Sequence, residues 1–155
     1  MIFKDIIEKN CKLLKIPVPA VVVVAASELP TPTTRAALRV NACDVDASEL
    51  VINRDYEAMI CSDELQAWLT LSHEIRHLWQ VRHKANDLDG YRQSGELDVR
   101  TYNEQDLEID AWAWSAIAVA QVLGGIPDFE NLFGKDVAKK IFERAKKILE
   151  NTKNG

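Results

Sequence analysis

The five residues His73-Glu74-Ile75-Arg76-His77 hold the pattern most able to do chemistry in this chain. On a helix, side chains four positions apart lie one turn apart on the same face, so His73 and His77 can offer two imidazole nitrogens to one metal ion. Glu74, next to the first imidazole, projects beside that ion, where a carboxylate can take a proton from water instead of joining the coordination sphere. The expected ion is Zn2+. It lowers the pKa of a water from about 15.7 toward 7 and polarises a carbonyl, which leaves Glu74 to pass the proton to a leaving amine.

A catalytic zinc site needs a third protein ligand and an open fourth position. Two candidates compete. His83 stands ten residues after His73, a spacing that resembles the metzincin signature His-Glu-x-x-His-x-x-Gly-x-x-His, but Gln80 occupies the position where that pattern has the glycine that turns the chain back. The methionine turn of that group has no counterpart either, because Met1 and Met59 both precede the motif. The second candidate is Glu108, in the segment Glu104 to Trp114, where it and Asp110 interrupt an otherwise apolar helix surface. Glu108, Ala111, Trp112 and Ser115 share a helix face, and the small Ala111 would let that helix approach the His73 helix closely. Glu108 is therefore the expected third ligand.

The order His-Glu-x-x-His followed by Glu-x-x-Ala on a second helix resembles the gluzincin metallopeptidases, especially the compact ImmA/IrrE-like group with its Glu-x-Glu-Ala element. Here that element reads Glu108-Ile109-Asp110-Ala111, and the resemblance covers roughly residues 50 to 120. It implies a zinc-dependent hydrolase that cuts a peptide bond in a peptide or protein substrate, a regulatory protease acting on one protein inside the cell. Many gluzincins carry Asp or Asn after the alanine, whereas this chain has Trp112, so a supporting hydrogen bond from that position is missing. Asp110 either supplies one by accepting the other imidazole N–H of His73 or His77, or is itself a ligand. An ion pair to Arg76 or Arg82 is the structural alternative for both acids.

In related hydrolases a Tyr, His or Arg outside the metal shell stabilises the tetrahedral intermediate. Tyr91, Arg92, Arg100 and Tyr102 lie in the segment between the two motif helices, and Tyr91 or Tyr102 is the expected donor. The tryptophans Trp68, Trp79, Trp112 and Trp114 fall on the motif helices and are expected in the core.

Several elements must hold these residues. Apolar spacing predicts a helix over 2–15 that packs on a sheet, a buried strand at Val21 to Val24, and two short strands at Ala37 to Ala42 and from Leu50. The last of these is expected at a sheet edge. A long helix from Asp63 to about Lys84, started by Ser62, carries the motif, and residues 86–102 form a loop long enough to act as a flap. A central helix from about Glu104 ends at Gly124-Gly125, and a final amphipathic helix covers about Lys135 to Glu150. The expected class is α+β: a small, mostly antiparallel three-stranded sheet packed on a helical core, with residues 1–150 as one domain and 151–155 as a flexible tail.

Length and composition set the bounds. The chain has 155 residues, 47% hydrophobic and 28% charged, the profile of one globular domain. A net charge of -5 argues against nucleic acid as a partner, since phosphate tracking needs clustered Lys and Arg. The charged N-terminus lacks a signal-peptide core, and the apolar stretches are too short or interrupted to span a bilayer, so a cytoplasmic location without a membrane partner is expected. Cys11, Cys43 and Cys61 are odd in number and lack a Cys-x-x-Cys pair, which suits reduced thiols. Two other functions fit the same motif: a catalytically inactive, metal-stabilised interaction module, and a metal-dependent hydrolase of small amides.

Overall fold

The computed structural model describes residues 2–41, 43–84 and 98–154. Helix α1 (Ile2–Leu14) leads to strand β1 (Ala20–Val24), then β2 (Ala36–Arg39) and β3 (Glu49–Asn53). The rest is helical: α2 (Glu57–Ser62), α3 (Glu64–His83), α4 (Val99–Glu104), α5 (Asp106–Leu123), α6 (Phe129–Phe133) and α7 (Lys135–Asn154). The fold is α+β.

The sheet is mixed, which corrects the expectation of a mostly antiparallel one. Its order is β1-β3-β2, with β3 parallel to β1 and antiparallel to β2. β3 is thus the central strand, not an edge. Its run Leu50-Val51-Ile52 is at most 2% exposed on either face, as a strand flanked on both sides requires. Leu50, Ile52 and Ala36 face the helices, while Val51 packs with Val24 and Leu29 in a smaller cluster on the far side.

Helix α3 is capped by Asp63, whose side chain accepts from the Gln66 N–H at 3.2 Å, one residue later than the predicted Ser62 start. α5 lies closely along α3 because Ala111, Ala113 and Ser115 leave no bulk between them, and Ser115 Oγ donates to the Leu69 carbonyl at 2.9 Å. Gly124, with φ of 72°, closes α5 in a left-handed cap. α1 packs chiefly on α3 rather than on the sheet, and its buried Asn10 accepts from Trp114 Nε1 at 2.8 Å. Leu13, one of the apolar residues of α1, is 53% exposed.

Two boundaries differ from the sequence reading. Residues 99–104 form α4, so the end of the predicted flap is helical, and its remainder, from 86 to 97, lies outside the described residues. α7 runs to Asn154 instead of fraying after Glu150, since nothing before Gly155 breaks it and Thr152 Oγ1 donates back to the Ile148 carbonyl at 2.9 Å. No helix of the described residues is long and apolar enough to cross a membrane.

Candidate metal centre

His73 and His77, one turn apart on α3, meet Glu108 at the first turn of α5. Glu108 Oε2 lies 2.9 Å from His73 Nε2 and 3.2 Å from His77 Nε2, and the two Nε2 atoms are 3.1 Å apart. Three donor atoms in a near-equilateral triangle is the base of a tetrahedron. With zinc bonds of about 2.0 to 2.1 Å, the edge of an ideal tetrahedron is about 3.3 Å, close to these separations. These are the described His, Cys, Asp and Glu side chains that converge closely enough to hold a metal.

The protonation pattern supports the same conclusion. Gln80 is 1% exposed, and its Nε2 donates to the Leu107 carbonyl at 2.8 Å and to Asp110 Oδ2 at 2.9 Å. That orientation turns Gln80 Oε1 toward His77 Nδ1, 2.8 Å away, so Nδ1 must carry the hydrogen it donates. In neutral His77 the lone pair then sits on Nε2, facing a carboxylate and a second imidazole. Only a cation between them, a proton or a metal, makes that arrangement favourable.

The electrostatics follow. Burial alone would lower the His77 pKa, but the Glu108 carboxylate overrides it and raises it to about 9. Glu108 is pushed up by burial and pulled down harder by the two imidazoles, ending well below the ordinary carboxyl range.

His73 is held differently. Its ring packs against Trp112, centroids 4.0 Å apart, and its buried Nδ1 has no hydrogen-bond partner among the described residues. Trp112 therefore lies beside the metal donors rather than simply in the core, as expected for it, and it steers His73 by packing where a carboxylate or amide would do so by hydrogen bonding. Trp68 and Trp114 are buried as expected.

Asp110 touches neither imidazole, which corrects its expected part as their direct acceptor or as a ligand. Its carboxylate takes a bidentate pair from Arg76, Nε at 2.7 Å and Nη2 at 3.1 Å, and is held low by Arg76 despite burial, which raises it. It reaches the centre only by orienting Gln80. His83 is turned away, with Nδ1 at the Trp79 carbonyl and its ring stacked on Trp79.

The donors open on a cleft of about 770 Å³ between α3 and the edge strand β2. Glu74 lines it next to His73 and His77, with the Leu38 backbone of β2 near enough to favour its charged form. Burial raises the Glu74 pKa above the ordinary carboxyl value, with the nearby Glu108 charge adding to the effect against the two imidazoles and Leu38. Asn53 N–H donates to the Arg35 carbonyl, so residues 35 and 37 face β3, and the backbone groups of Ala36 and Leu38 point outward into the cleft. Of the two expected oxyanion donors, Tyr102 lines the cleft from α4, and Tyr91 lies outside the described residues.

Sequence reasoning missed Gln80, although a buried-phase glutamine three residues after a ligand histidine was its available signal. It also missed Leu38, whose contribution comes from its backbone and leaves no trace in residue type. No known family matches the chain, and neither a curated protein nor a solved structure matches it.

Proposed function

We propose that the chain is a zinc-dependent peptidase that hydrolyses a peptide bond, with His73, His77 and Glu108 holding the metal and Glu74 as general base and then general acid. The observation that carries this reading is a carboxylate beside the three-donor triangle that is not part of it: Glu74 shares the cleft, while Glu108 alone bridges the imidazoles. A structural zinc site gains nothing from such a group and is normally closed by four protein ligands.

When bound, zinc supplies the Lewis acidity that polarises a carbonyl and makes water acidic. Glu74 takes the proton from the attacking water and returns it to the departing amine, and its raised pKa suits both steps. The outward backbone of Ala36 and Leu38 offers an extended substrate a strand to pair with. Tyr102 stands at the cleft wall as the donor to the developing oxyanion. Cys11 and Cys43 are unbridged, which favours a reducing cytoplasmic setting, and the chain's acidity favours a protein substrate over nucleic acid.

Glu74→Gln tests the reading. It is expected to retain zinc, measured by metal analysis, while kcat/KM on a peptide library falls about 1,000-fold. Unchanged cleavage would overturn the mechanism. Absence of cleavage by the wild type, with zinc retained, would favour the inactive interaction module.

A further inference from the structure

We propose that Arg35 forms an anion subsite in the cleft and selects a carboxylate carried by the substrate about three residues from the bond that is cut. The inference rests on the peptidase reading and specifies its substrate class as acidic peptides.

Arg35 differs from the other arginines among the described residues. Arg39, Arg76, Arg82 and Arg144 each meet a carboxylate, and Arg54 is exposed. Arg35 is half-buried and lines the cleft, and no carboxylate among the described residues meets it. Its one side-chain partner is neutral: Nη1 donates to Gln66 Oε1 at 2.6 Å. A guanidinium has five donors, and withdrawing it from water without an opposite charge is costly, so a retained, partly desolvated cation facing a cleft is suited to a ligand's anion.

Arg35 is also held in place. Buried Asn53 donates its backbone N–H to the Arg35 carbonyl at 2.9 Å and its Nδ2 to the Thr34 carbonyl at 2.9 Å, which fixes the start of β2. Gln66 sits on α3 behind the Asp63 cap. The guanidinium is thus clamped between a strand and a helix, and a carboxylate could dock on its remaining edge as a fork.

The spacing sets the register. Gln66 precedes His73 by seven residues on one helix, a rise of about 10 Å. An extended peptide advances about 3.3 Å per residue, so a carboxylate at Arg35 belongs about three residues from the carbonyl at the metal donors.

The test uses the zinc-loaded full chain and internally quenched peptides in which one Glu is moved through an otherwise neutral sequence. Glu about three residues from the cut should raise kcat/KM about tenfold over Gln at that position. Arg35→Met should remove the gain, Arg35→Lys should retain part of it, and Arg35→Glu should turn it into a preference for Lys. A gain that persists in Arg35→Met, or rates indifferent to the position of Glu, would overturn the subsite. Peptides with free and amidated C-termini separate a side-chain carboxylate from a terminal one.

If the wild type cuts no peptide, the peptidase reading fails by itself and binding decides the subsite. Glu74→Gln protein is then titrated with the Glu and Gln peptides by fluorescence anisotropy. Tighter binding of the Glu peptide, abolished by Arg35→Met, upholds it. Equal binding, or none, overturns it.

Discussion

The two walls of the cleft are built on opposite plans. On the helical wall, Arg76, Gln80, Asp110, His77 and Glu108 interlock through hydrogen bonds of 2.7 to 3.2 Å, and each bond fixes the orientation of the next side chain. On the strand wall, β2 presents outward backbone groups and a guanidinium held only by an amide. The proposed metal donors must be exact in position before anything binds, so their wall is internally satisfied apart from His73 Nδ1 and Ser72 Oγ. A surface that receives a ligand must keep bonding capacity in reserve, so its wall is not.

Mutations should separate the plans. Glu108→Ala removes one corner of the donor triangle and should weaken zinc binding more than about 100-fold in chelator competition, whereas His83→Ala should leave it unchanged. The reverse pattern would reassign the third ligand. Asp110→Ala leaves Arg76 buried beside Trp79 and Trp114 without its carboxylate, and should cost about 3 kcal/mol in denaturant unfolding. A loss below about 1 kcal/mol would show that the pair is not the buried brace inferred for it. Gln80→Leu should weaken zinc about tenfold, since His77 loses the acceptor that fixes its tautomer. Zinc affinity unaltered by this change would remove Gln80 from the chain of support.

A graded effect of pH comes last. The metal-free His77 pKa is raised from 6.5 to about 9, so its protonated ring contributes stability that is fully present below about pH 6.5 and is lost as pH rises through about 9. Thermal midpoints in chelator should therefore fall across that window. With zinc the ion takes the proton's place and the fall should vanish; parallel curves would contradict the contact with Glu108.

His73 and His77 were legible in the sequence because helical periodicity puts them one turn apart, and Glu108 because it shares a helix face with the small Ala111, which lets the two helices meet. The three strands were legible too, but their order was not: β3 pairs in parallel with β1, while β2, which lies between them in sequence, takes the outer edge, and no local pattern encodes which edge a strand joins. The centrality of β3 could have been read from its continuous apolar run, Leu50 to Ile52. Asp110 was left open in the sequence because two kinds of donor, an imidazole N–H and a guanidinium, could serve one carboxylate, and Arg76 prevails with a bidentate pair that an imidazole cannot offer. Gln80 spans from α3 to Leu107 and Asp110 on α5, a juxtaposition that arises only once the helices dock.

The nearness of the Leu38 backbone to Glu74 bears on how the edge of β2 can be used. A β-strand edge offers backbone groups at every second residue, and at Leu38 those groups already face the Glu74 carboxylate. For the proposed peptidase, an extended substrate would find β2 open for pairing at Ala36 and already engaged at Leu38.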